Sequence, residues 1–194
     1  MINHKLMDWA FTVFILISVI MTGAASFMTV FWAPGAASSG IVELIAYLNG
    51  INQTNFIGIN TLIAKVVGVV LAVSASLRVG KEGPLAHIGA IVAVAVVYLP
   101  LESMKQFRND ATKRGLAASG AGVGVSLAFG APIGGVLFAY EISKADAFWT
   151  FSHAWKTFLA TSVANFTLNF LAAVFEGDTS NLTNAGMIRF GSLP

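Results

Sequence analysis

The sequence predicts an all-α, multi-pass membrane protein, and three observations carry that reading. Of 194 residues, 56% are hydrophobic and only 10% charged, and the mean hydropathy is +0.77. A soluble domain of this length needs more charge to cover its surface. The apolar residues also fall in long runs. No charged side chain occurs from Trp9 to Val42, from Gly115 to Tyr140 or from Thr157 to Phe175, and Leu85 to Leu101 holds only His87. Runs of about 17–25 residues suffice for helices that cross or deeply enter a bilayer. Finally, no segment shows the strict alternation of a half-buried strand.

The elements follow in order. A first helix fits Asp8–Trp32 and stops before Pro34. It is too long for a signal-peptide core and its flank is barely basic, so it reads as a retained membrane helix. The small residues of APGAASSG suit a turn. A short helix starts near Ser39 or Gly40, with Ser38 and Ser39 as N-cap candidates, and closes at Asn49 and Gly50. A third segment runs from Phe56 to Arg78. GKEGP, residues 80–84, interrupts, and a fourth helix begins at Gly83 or Pro84. Proline fits a first helical turn, where its missing N–H costs nothing.

The stretch 102–114 is a basic loop, with Lys105, Arg108, Lys113 and Arg114 against Glu102 and Asp110. The positive-inside rule assigns it to the cytosolic side. The segment from Gly115 to Glu141 is rich in Gly, Ala and Ser, and Pro132 splits it into two helices. Gly120 and Gly124, and also Gly130 and Gly134, have the spacing that lets helix backbones approach in lipid. A last helix covers Trp149–Phe175, and 176–194 is a polar tail. The whole of 1–194 reads as one transmembrane domain.

Several function classes drop out. With no cysteine, disulfides, Cys-ligated metals and thiol redox chemistry are excluded. GKEGP is not a phosphate-binding Walker loop: Ala75 stands where its first glycine belongs, and Glu82 takes the Ser/Thr position. The glycines at 120, 122 and 124 miss the dinucleotide-binding spacing. Nothing points to an enzyme, a metal, a cofactor or nucleic acid. His87 reads as a packed, hydrogen-bonded histidine. Lys65 reads as snorkelling or paired, with a bias of the local potential as the sharper alternative. The four tryptophans mark interfaces.

Two places share one design. At Ser38–Ile41 and at Lys81–Leu85, glycine-containing backbone opens a helix within apolar surroundings. A helix start exposes unpaired N–H groups and about half a unit of positive charge. In lipid these groups need partners, and a small anion is a good one. Two starts aimed at one spot hold an anion without a full buried cation, so the ion can leave again. The Glu82 carboxylate, tethered beside such a start, occupies the anion's place when ionised and has little reason to stay when protonated.

These stretches resemble those of the CLC chloride channel and transporter family. GKEGPLAHIGA resembles its GKEGP motif. SSGIVELIAYLNG resembles its GSGIPE stretch, and GAPIGGVLFAYE its GAP(I/V)GGVLF segment. FTLNF and GMIRFG look most like the endosomal and lysosomal branch. The match runs in order from about Ala25 to Phe190. The resemblance implies a CLC-type fold of broken, tilted helices, about half of an inverted repeat. It implies chloride transport of the voltage-gated channel type in a multi-pass membrane protein, endosomal, lysosomal or vacuolar, that is a homodimer when complete.

Carried over by position, Glu82 is the gating residue. Ser39, Gly40 and Ile41 contact the central anion, and Lys81 and Gly83 flank an outer site. Serine at 39, where a nitrate-preferring branch has proline, implies chloride preference. Three departures stand out. Val42 replaces the family's proline, Ser38 replaces a glycine, and Ile142 replaces the second glutamate, the inner proton-transfer residue of the exchangers. Ile142 favours a passive anion path. The alternatives are a chloride/proton antiporter of the endolysosomal type, or a truncated membrane fragment with no transport of its own. The expected extent is the first repeat alone, a fragment that starts at the family's second membrane helix, without the second repeat and the CBS domains.

Overall fold

Backbone lies directly on backbone at the centre of this protein. The computed structural model describes residues 4–100, 102–144 and 149–176. Among them are seven α-helices: α1 (His4–Phe27), α2 (Ile41–Leu48), α3 (Ile59–Ser74), α4 (Glu82–Val97), α5 (Asp110–Phe129), α6 (Pro132–Ile142) and α7 (Phe151–Glu176). The described residues contain no strand, in line with the expected all-α class. Helix α5 is the hub, packed against α2, α4, α6 and α7, while α1 packs mainly on α3.

Glycine makes the hub possible. A Cβ at Gly120 would collide with the Gly89 carbonyl, and one at Gly124 with the Leu85 carbonyl. Across the other face of α5, a Cβ at Gly122 would lie 2.6 Å from the Gly135 carbonyl oxygen. Small residues at these crossings let helices gain van der Waals contact in lipid, where the hydrophobic effect does not drive them together. Of the two expected spacings, only Gly120 and Gly124 lie in a contact of this kind. Gly130 ends α5 in the left-handed region, at φ 64°, and Gly134 is exposed. Gly135 takes the packing role instead. Around the crossings, Leu44, Leu48, Ala86, Ala90, Ala117, Val125 and Ile142 share one apolar cluster.

Helix ends follow local chemistry. The Asn109 side chain accepts from the Thr112 N–H at 2.7 Å and caps α5. Pro132 opens α6 at its first position. Helix α1 passes into one π turn over Met28–Trp32, where the Thr29 hydroxyl donates to the carbonyls of Ala25 at 3.2 Å and Ser26 at 2.9 Å. Such back-bonding competes with the regular ladder. The basic stretch is not all loop. Glu102–Phe107 forms 3₁₀ turns, and α5 already begins at Asp110. There the Lys113 ammonium is held above the usual lysine range, first by hydrogen bonding to Tyr98 and then to Asp110. The expected tail lies outside the described residues, except for Glu176 at the end of α7.

Met7–Trp32 and Phe151–Phe175 are long and apolar enough to cross a membrane. The outer faces of α1 and α7 expose Phe11, Phe14, Ile20, Phe166 and Phe175, which suits lipid. Helix α4 has 16 residues and α2 only 8. At 1.5 Å per residue they reach about 24 and about 12 Å, short of a hydrocarbon layer of about 30 Å. Neither crosses that layer alone as a straight helix.

The crossings generate a paired prediction. Gly124→Ala drives a methyl group into a backbone carbonyl that cannot turn away, and should lower stability by about 1–3 kcal/mol. Gly134→Ala meets only Ala131 Cβ, at 3.4 Å, and should be near neutral. Thermal unfolding of the two variants in detergent checks the difference.

Candidate functional site

The first elements to meet are the starts of α2 and α4. A Cβ at Gly83 would lie 2.6 Å from Ser39 Cβ and 3.5 Å from Ile41 Cδ1. Only glycine at position 83 lets the two starts touch. In α2 the first helical bond runs from Leu44 N–H to the Gly40 carbonyl, 2.9 Å. The N–H groups of Ile41, Val42 and Glu43 therefore have no helical carbonyl to donate to. In α4 the first such bond runs from Leu85 N–H to the Lys81 carbonyl, 3.0 Å. That leaves the N–H groups of Glu82 and Gly83, because Pro84 has none.

The loop before α2 is held in an unusual shape. Ser38 and Gly40 both lie in the left-handed region, at φ 61° and 83°. Gly40, not Ser38 or Ser39, is the N-cap residue. The serines act one step removed. Gly40 N–H donates to the Ser38 hydroxyl at 3.2 Å, and Ile41 N–H to the Ser39 hydroxyl at 3.4 Å. Both bonds are long, so a better acceptor can replace them. A Cβ at Gly40 would collide with the His87 imidazole, so glycine is required here twice, for its φ and for space.

Buried groups fix this loop from below. Lys65 is only 3% exposed. Its ammonium donates to the carbonyls of Ala36 at 3.0 Å, Ala37 at 3.4 Å and Ser38 at 2.9 Å. Of its two readings, pairing is the observed one: three carbonyls take the three donors, and the charge sits beneath a prospective anion site. His87 is fully buried, stacks on Phe56 at 4.2 Å and bonds the Phe56 carbonyl through Nε2 at 3.1 Å. A left-handed serine is strained by about 1–2 kcal/mol. The Lys65 bond to its carbonyl and the 2.8 Å bond from its hydroxyl to Glu43 Oε1 help hold it there. These contacts explain how serine serves where the resembling motif has glycine.

The remaining sequence candidates are placed as follows. Glu82 opens α4, half-buried, with its carboxylate folded back over Gly80; a Cβ there would lie 2.5 Å from Glu82 Oε2. Lys81 is the exposed N-cap. Ile142 stands apart from this group. It ends α6, 8% exposed, within the apolar cluster. Glu141 beside it is exposed, and Ser143 is buried with its hydroxyl unpaired. Val42 is 74% exposed, and where the family has proline it keeps an N–H at the start of α2.

The sequence profile described as voltage gated chloride channel matches residues 15–190. The chain belongs to this family. It is 39% identical to H(+)/Cl(-) exchange transporter 7 of Homo sapiens over 173 residues, 86% of this chain and 21% of that protein. It is 37% identical to Chloride channel protein D of Dictyostelium discoideum, covering 94% of this chain and 18% of that protein. It is 39% identical to the Putative chloride channel-like protein CLC-g of Arabidopsis thaliana, covering 93% of this chain and 24% of that protein. The chain thus spans about a fifth of the length of these relatives. Family membership makes it an integral, multi-pass membrane protein.

Sequence reasoning missed Glu43 as a part of the site. The signal was there: it is the one charged residue in the eight of α2, in the first turn. Removing the cation that holds the loop should be costly. Lys65→Met leaves three carbonyls without their donor, at about 1–3 kcal/mol for each that stays dry. We expect loss of the folded chain or a large fall in melting temperature, whereas Lys144→Met, at an exposed position, should leave it unchanged.

Proposed function

We propose that this chain forms part of a chloride-conducting pathway, with the anion held between the starts of α2 and α4 and gated by Glu82. The contact of Gly83 with Ser39 carries the reading. It joins two helix starts whose N–H groups lack helical partners, those of Gly40 and Ile41 held only by long bonds to serine hydroxyls, without adding a full charge there. Ser39, Gly40 and Ile41 supply donors from one side and Gly83 from the other, and Lys81 adds positive potential at the rim. The Lys65 ammonium, three carbonyls deep, raises the local potential but is too well occupied to grip the ion. A pathway needs that balance of attraction and release.

The Glu82 carboxylate, tethered at the start of α4 and here folded back over Gly80, has to swing inward to compete for the same donors. Ionised, it closes the pathway; protonated or displaced, it lets an anion in. Flux should therefore rise as pH falls. Chloride efflux from liposomes containing the chain tests the conducting role directly. Glu82→Gln should raise flux at neutral pH severalfold and reduce its pH dependence. Unchanged flux and pH response at equal reconstitution would remove Glu82 from the gate.

A second reading, chloride/proton exchange in an endolysosomal membrane, draws on relatives named as H(+)/Cl(-) exchange transporters. Against it, Ile142 can neither bind a proton nor hold a water by hydrogen bonds. Glu141 is about 100° away around the helix and exposed. The uncoupled path is therefore the primary reading. With a chloride gradient across the vesicles, internal pH should not move. Uphill proton movement that is lost in Glu141→Gln would establish exchange, with Glu141 as the relay.

A further inference from the structure

Beneath the start of α2 are two buried polar atoms with no partner, and the gating scheme uses neither. One is Nδ1 of His87. Its ring is fully buried, and the Phe56 carbonyl can only accept, so Nε2 carries the hydrogen. In the neutral ring Nδ1 is then a bare lone pair, packed against Gly40 in the loop that opens α2. The other is Oε2 of Glu43, whose Oε1 is already taken by the Ser38 hydroxyl. A buried acceptor left unpaired is costly unless something else fills it. Both acceptors belong to the same helix start, Glu43 in its first turn and His87 packed against its N-cap Gly40, and the two groups act on one another electrostatically. Neither can satisfy the other without an added hydrogen.

We propose that Glu43 and His87 form a proton site linked to occupancy of the anion site at Ser39–Ile41. This rests on the anion reading given above. The Glu43 carboxylate lies in the first turn of α2, where the helix start stabilises negative charge. It thus competes with the anion for the same positive potential, although it does not occupy the anion's place. A proton on Glu43 removes that competitor. A proton on Nδ1 of His87 adds a positive charge directly under Gly40. Either way, one proton bound at equilibrium offsets the charge of one bound anion; the linkage is one of binding and carries no proton across the membrane. By reciprocity, an anion at the site draws the proton in as strongly as the proton draws the anion.

Few other charges bear on the pair. Lys65 on α3 and Glu43 on α2 both act electrostatically on His87, and Lys65 keeps the loop carbonyls engaged. Helix α5 meets α4 here through Gly120 and Gly124, which have nothing to titrate. On α4 itself, Glu82, the proposed gate, lies five residues before His87. The gate's own proton must therefore be removed from the measurement.

The experiment uses the Glu82→Gln chain in lipid nanodiscs, titrated with sodium chloride in weak buffer from neutral to acid pH. We expect chloride binding to tighten by up to about tenfold per pH unit, the limit for one linked proton. Proton uptake should approach about one per chloride bound. Adding Glu43→Gln should tighten binding at neutral pH, and Glu43→Gln and His87→Gln should each weaken both the pH slope and the uptake. Slopes and uptake that persist undiminished in both double variants would overturn the proposal. So would chloride binding without proton uptake in the Glu82→Gln chain, a result that needs no second substitution and leaves the anion site standing. No chloride binding in any variant at any pH would overturn the anion site and this proton site together.

Discussion

The structure depends on helix backbones that touch. Where α4 crosses α5, the carbonyls of Leu85 and Gly89 lie against Gly124 and Gly120, with no side chain between. That contact sets the height and tilt of α4 against the hub, and so fixes where Glu82 and Gly83 emerge. In a bilayer, apolar side chains gain nothing by leaving lipid for protein, so fit has to supply the attraction. The rest of the site inherits its precision from this crossing. Gly83 reaches Ser39, Ser39 sits over the loop, and the loop rests on Lys65 and His87.

The site therefore has two layers. The upper one is backbone: N–H groups at two helix starts, with two serines as weak, replaceable acceptors. The lower one is ionisable: Lys65, Glu43 and His87, all buried or half-buried and all within one loop of the upper layer. The contacts above are weak and replaceable, as the proposed exchange with a passing ion requires. Strong contacts below keep the loop in a left-handed conformation that a serine would not adopt alone. In the proposed pathway, that division keeps affinity low while geometry stays fixed.

Much of this was legible in the sequence, and the parts that were not have physical causes. GKEGP and SSGI announced two helix starts, because glycine next to a first-turn proline or serine is a local signal. Pro132 announced the break between α5 and α6 for the same reason. The N-cap was misplaced by one or two residues. Serine is the better cap by local chemistry, but the collision with His87 and the positive φ, both tertiary, select Gly40. The glycine spacings misled at Gly134, since spacing alone does not tell which face of a helix meets a neighbour. Lys65 could be read as paired, but its partners are carbonyls 27 to 29 residues away, which no local pattern reveals. Glu43 was passed over because a lone acid in a first turn is so ordinary.

The short helices carry a consequence for how the protein is made. Helices α2 and α6, with 8 and 11 residues, cannot bridge a bilayer one at a time. Handed singly to lipid, each would leave its terminal N–H or carbonyl groups dry and unbonded, at several kcal/mol apiece. They can settle only once α5 and its neighbours already offer a surface to rest on. Biogenesis of this chain is therefore a collective event: α1 and α7 are long and apolar enough to span on their own, while the short helices need neighbours in place before they can settle.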